Sequence, residues 1–112
     1  MILFNLLTMS ARHAREATQL VLTQHLATDV FVDEAIDNYC LGADGTVGVQ
    51  PLYRVLFLTK ALLYRRIEEL LTTHFPGNDF RIYATAVTHV NDAEANRVRQ
   101  LCATEPAGAG AV

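Results

Sequence analysis

Leu52-Tyr53-Arg54-Val55-Leu56-Phe57-Leu58-Thr59-Lys60 is a nearly unbroken run of β-branched, aromatic and aliphatic residues. Its length and composition fit a central strand covered on both faces. Beyond it the period changes. Leu63, Ile67, Leu70, Leu71 and His74 recur with the spacing of one helical face. Arg65, Arg66, Glu68 and Glu69 fall opposite, with Arg65 and Glu69 spaced for a weak ion pair. Phe75-Pro76-Gly77-Asn78-Asp79 stops the helix and turns the chain. A central strand feeding straight into an amphipathic helix requires an α+β core.

The flanking elements follow from the same patterns. Ile2–Thr8 reads as a strand that is apolar on both faces. Ser10 caps a helix running to about Ala27, with Ala14, Ala17, Val21, Leu22 and Leu26 inward and Arg12 four residues from Glu16 outside. The small Ala14 and Ala17 predict close approach to a sheet. Asp29 to about Leu41 reads as strand, but its alternation slips across Asp33-Glu34-Ala35, which predicts a bulge. Gly42-Ala43-Asp44-Gly45-Thr46 is hairpin-turn chemistry. Phe80–Val90 alternates, with Phe80, Ile82, Ala84, Ala86 and Val90 on one side and Arg81, Tyr83, Thr85, Val87 and His89 on the other. Asn91 with Glu94 three residues on marks a short last helix from Asp92 to about Leu101.

These elements give a βαββαβ order plus a terminal helix: a ferredoxin-like, four-stranded antiparallel sheet with helices on one face. Residues 1–103 form this single domain, and 104–112 read as a disordered Ala/Gly-rich tail. The face away from the helices is expected to carry Tyr39, Phe57, Tyr83 and Val87 or their strand neighbours. A patch of that size needs cover, and a further copy of the same sheet supplies it.

Charge excludes one class of partner. With a formal net charge of −3, the chain lacks the basic field a nucleic-acid binder needs. No apolar run has the length of a membrane span. The apolar Met1–Leu7 start has no preceding Lys or Arg and no small-residue cleavage site after it, so the protein is expected to be cytoplasmic. Cys40 and Cys102 fit neither a CxxC nor a zinc spacing and read as free thiols.

The residues resemble the CutA family of small trimeric proteins, relatives in fold of the PII signalling proteins. Ala14-Arg15 and Leu26-Ala27-Thr28-Asp29 fall at the spacing of the family's first-helix motifs, followed by Val30-Phe31-Val32 as second strand. Asp37-Asn38-Tyr39 stands at the family's Ser-x-Tyr step, and Thr59-Lys60 reverses its Lys-Thr. His74-Phe75-Pro76 looks like a reworked His-Pro-Tyr. Asp29 replaces the family's cysteine, an oxygen ligand where copper(I) prefers a thiolate. The resemblance implies a homotrimer, a non-enzymatic role, and a divalent cation such as copper.

Site candidates follow. His74, His89 and Asp29 are candidate metal ligands, with helix capping for His74 and a plain surface place for His89 as alternatives. Asp33 and Asp37 would share a face of an unbulged strand, as a hard-cation site or as a solvated edge. Lys60, Arg81 and Tyr83 are candidates for an anion-binding cleft between subunits, as in PII-like proteins. No phosphate loop, nucleophile elbow or paired catalytic carboxylates are present. The expected function is a CutA-like trimer holding a small ligand or divalent cation at inter-subunit clefts. The alternative is a small dimeric α/β-barrel enzyme whose open sheet face encloses a hydrophobic or aromatic substrate beside His89 or Tyr83.

Overall fold

A computed structural model describes residues 1–77 and 80–104. It contains β1 (Ile2–Thr8), α1 (Ala11–Thr23), β2 (Phe31–Leu41), β3 (Val47–Thr59), α2 (Tyr64–His74), β4 (Arg81–Ala86) and α3 (Asp92–Leu101). The strands form one antiparallel sheet in the order β2-β3-β1-β4, the ferredoxin-like arrangement expected from the sequence. Asn78 and Asp79 of the expected turn, and the expected tail beyond Thr104, lie outside the described residues.

The core forms where β1 and β3 meet under the helices. Phe4 and Phe57 are register partners with rings stacked 4.9 Å apart, and both are fully buried. Leu6 and Val55, the next pair on that face, are equally buried. Ala14, Ala17 and Val21 of α1 close over this floor, joined by Ile67 and Leu71 of α2. Of the alternatives the sequence left, Phe57 faces the helices and its strand neighbours Leu56 and Leu58 take the open face. Strand alternation gives the reason: Val55, Phe57 and Thr59 share one side, and Leu56 and Leu58 take the other. His74, placed by its spacing on the inner face of α2, is exposed at the helix's end.

Helix α1 stops at Thr23, four residues before the expected end. His25 N–H donates to Leu22 O (3.0 Å) and Leu26 N–H to Val21 O (3.0 Å), the paired bonds of a Schellman terminus. His25 occupies the left-handed position at φ 56°, where glycine is the usual signal. Leu26 is still buried, in the turn after the helix. Thr59 Oγ1 donates to Leu26 O (2.5 Å), and Ala103 N–H to His25 O (2.7 Å), fixing this turn to the end of β3 and to the C-terminal segment.

The expected bulge is present. Asp33 pairs with Arg54 and Ile36 with Leu52, so Glu34 and Ala35 together oppose the single Tyr53, and Ala35 takes φ 53°. An extra residue inverts the alternation. Phe31 and Asp33 point to the face away from the helices, whereas beyond the bulge Ile36, Asn38 and Cys40 do. Asp33 and Asp37 consequently lie on opposite faces, and Tyr39 lies on the helix side. β1 ends against Tyr53, so Ile36–Leu41 and Val47–Leu52 continue alone as a two-stranded arm, closed by a turn with Gly45 at φ 85°. β4 ends at Ala86, short of the expected Val90, although Val87 N–H still reaches Met1 O at 3.0 Å.

Because a left-handed backbone costs an L-residue about 1 kcal/mol that glycine avoids, His25→Gly is expected to raise stability by up to about that amount, and His25→Val to lower it. Urea denaturation midpoints check both; a midpoint that falls for His25→Gly contradicts the role given to this turn.

Candidate functional site

The sheet face away from the helices is built in three cross-strand rows. Leu58, Leu3 and Thr85 form one, and Phe31, Leu56, Asn5 and Tyr83 the next. Asp33, Arg54, Leu7 and Arg81 form the third. Two rows are almost wholly apolar, yet Phe31 is 64 % and Tyr83 47 % exposed. Asn5, at the centre, is buried beneath its neighbours, its side-chain amide donating to Leu3 O at 3.3 Å. In the third row Arg54 donates through Nε (3.0 Å) and Nη2 (2.6 Å) to Asp33 Oδ2.

The arm presents a second apolar surface. Tyr39, Leu41, Val47 and Val49 lie on its helix-side face, past the end of the helical layer, each 56–75 % exposed. A ribbon of two strands is marginal in water by itself. Four large apolar side chains along one side of it form a patch that soluble monomers seldom leave open.

The structure divides the expected anion-binding set. Arg81 and Tyr83 are alternate residues on one face of β4, beside Leu7 and Asn5. Lys60 lies elsewhere: Nζ donates to Cys102 O (3.2 Å) and Ala103 O (3.0 Å), satisfying carbonyls at the end of α3. Thr59 pairs with Ile2 and Arg81 with Leu7, five residues of β1 apart; with Lys60 one residue further and two strand spacings between β3 and β4, the backbones at Lys60 and Arg81 are more than about 20 Å apart. Arg54 and Asp33 complete the charged row; the sequence held both residues, but only strand register shows that they share a face with Arg81.

The expected metal ligands do not converge. Among the described residues no three His, Cys, Asp or Glu side chains are grouped to hold an ion. Asp29 accepts a hydrogen bond from Arg97 Nη1 of α3, which also contacts Glu94 at 3.2 Å. That hydrogen bond holds the Asp29 carboxyl below its usual range, against a small opposing effect of burial. His74 borders an open groove of about 500 Å³ between α1 and α2, lined also by Arg15, Glu16, Gln19, Leu20 and Thr23. Arg15 and Glu16 bring opposite charges to that groove. His89 is exposed in the segment between β4 and α3. Cys102 is buried, and burial pushes its thiol up, partly offset by the nearby Lys60 charge, so it remains protonated at neutral pH.

Solved structures similar to this one include CutA proteins. The divalent cation tolerance protein CutA1 of Thermus thermophilus superposes with TM-score 0.80 at 16 % identity, over 92 % of this chain and 100 % of its own. CutA1 of Oryza sativa gives 0.81 at 12 % identity, over 93 % and 94 %. The Archaeoglobus fulgidus protein, described as a periplasmic divalent cation tolerance protein, gives 0.77 at 12 % identity, over 90 % and 98 %. No family model matches the chain, and no curated protein sequence does. The resemblance read from short motifs therefore holds at the level of the fold, which is that of CutA1. Among the described residues no helix is long and apolar enough to cross a membrane.

Asp29 gives a pH signature. A carboxyl whose folded value is depressed contributes stability above its unfolded value of 3.8 and loses it as the pH falls through the folded value. The urea midpoint of the wild type is expected to fall more between about pH 6 and about pH 3 than that of Arg97→Gln. Parallel losses in the two proteins overturn the assignment.

Proposed function

We propose that the chain works as a non-catalytic binding protein, a closed ring of three copies with a small ligand or divalent cation in the clefts between them. The observation that carries this reading is the arm. Its apolar side lies past the chain's own helices, and the open sheet face beside it is apolar as well. A neighbouring copy of the same architecture offers both the sheet and the arm needed to cover them, and head-to-tail contacts that close make a ring. The fold shared with CutA1 proteins supports the same arrangement.

Two of the CutA proteins with this fold are described as divalent cation tolerance proteins, which favours a cation, copper among them, as one occupant. Since no protomer groups three ligands among its described residues, ligands for such an ion come from more than one copy. Exposed His89, in the segment that follows β4, is the histidine candidate carried forward. Asp29 is already committed to Arg97.

Sedimentation velocity at micromolar concentration tests the assembly. The wild type is expected at three times the 12.4 kDa chain mass. Leu41→Asp combined with Val47→Asp, on the arm and outside the core, is expected to give folded monomers. A monomeric wild type, or a double variant that stays trimeric, overturns the reading. Copper in equilibrium dialysis is expected to be retained by the trimer and lost with His89→Ala.

A further inference from the structure

We infer that the open sheet face holds a monocarboxylate with an apolar body, its head seated over Leu7 between Arg54 and Arg81. This deepens the proposed function and rests on it, because covering this face by a neighbouring copy is what shuts water out of the site.

The argument begins with register. Leu7 of the central strand has Arg54 as its partner on one side and Arg81 on the other. All three side chains emerge on the open face, and two strand spacings put the arginine Cα atoms about 10 Å apart. Guanidinium groups on side chains of that length can meet above Leu7. Two guanidinium groups that meet over one sheet residue repel one another unless anions balance them. One balance is present: Asp33, from the outer side of β3, takes Nε and Nη2 of Arg54 through a single oxygen. That leaves Nη1 of Arg54 free to turn inward. Arg81 is exposed and has no hydrogen-bond or ion-pair partner among the described residues.

Charge then fixes the class of ligand. Asp33, Arg54 and Arg81 are the charged residues in the three rows, so these rows carry a net charge of +1 on a chain whose total is −3. Enclosing an unpaired guanidinium between protein surfaces costs several kcal/mol. The face is too apolar to remain in water and carries one positive charge that must be matched when it is covered. A monoanion matches it; a phosphate dianion overshoots. A carboxylate offers two oxygens to the arginine forks in the planar geometry they favour. The row beyond Leu7 supplies the surface for the rest of the molecule: Leu56 and Phe31 on one side, Tyr83 on the other, with its hydroxyl as a polar marker. An aromatic or short aliphatic carboxylate fits this surface; a bare inorganic anion leaves the apolar row unused.

Isothermal titration of benzoate into the full-length protein, with inorganic phosphate as the second arm, tests the site. Benzoate is expected to bind saturably and phosphate at least about tenfold more weakly. Arg81→Gln is expected to weaken benzoate by about ten- to a hundredfold, and Arg81→Lys to recover part of that loss by restoring charge without the fork. Arg81 is exposed, so circular dichroism of these variants is expected to match the wild type. Sedimentation of the same samples separates the two levels of the argument. A wild-type trimer that takes up no benzoate, or binds phosphate as tightly, overturns the carboxylate site and leaves the assembly standing. A monomeric wild type overturns both.

Discussion

One extra residue in β2 decides which surfaces this molecule has to hide. Glu34 and Ala35 share the single partner Tyr53, so every side chain beyond them changes face. Without the bulge, Tyr39 and Leu41 would continue the apolar floor that Phe31 begins. With it, they join Val47 and Val49 on the opposite side of the arm, where no helix reaches. The chain therefore exposes two apolar surfaces facing opposite ways. A single flat partner covers one of them. Covering both takes neighbours on two sides, and a ring of copies meets that geometry where a back-to-back pair does not.

A second constraint keeps the helical layer in place. The turn after α1 has a left-handed histidine where glycine would be cheaper, and the surrounding chain holds it there. Leu26 O is taken by Thr59, His25 O by Ala103 N–H, and Asp29 by Arg97. Lys60 completes this clamp by taking the carbonyls of Cys102 and Ala103. A lysine at the end of a central strand has the look of a ligand contact in the sequence, yet here it substitutes for the missing continuation of α3. Its charge also lies beside the Cys102 thiol, which burial keeps protonated. The C-terminal helix thus acts as a strap across the start of β2, setting the direction in which β2 and its arm leave the body.

What the sequence revealed depended on whether the signal was local. Strand order, the capping of α1 by Ser10 and of α3 by Asn91, the slip at Asp33–Ala35 and the Gly45 turn are written in adjacent residues, and the structure has them all. The end of α1 was not legible, because His25 carries no glycine signal and its left-handed backbone is fixed by partners as distant as Thr59 and Ala103. The face of Tyr39 was not legible for a related reason: a bulge is visible as broken alternation, but which way it sends the following residues depends on the pairing with β3. Phe57 was undecided for another reason: Leu56, Phe57 and Leu58 are all apolar, so their alternation does not say which side the helices cover. For the candidate site, Arg81 and Tyr83 are the neighbours that strand alternation makes them, while only charge groups Lys60 with them. Arg54 is hidden in the sequence because an arginine inside an apolar run looks like an interruption until its register partners are known.

Coupling between assembly and binding follows from where the charge lies. Arg81 stands in a face that apolar burial draws toward another protein surface and that ion solvation draws back into water. Each tendency is worth several kcal/mol, so neither can be ignored. An anion delivered to Arg81 removes the second tendency and leaves the first. Any such anion held more tightly by the covered face than by the open one must tighten the contact between copies by the same factor, since linkage between two binding events is reciprocal. In the proposed ring, its concentration would then set how firmly the copies are held together. That reciprocity is the physical route by which a small molecule bound at Arg81 can act on the proposed assembly.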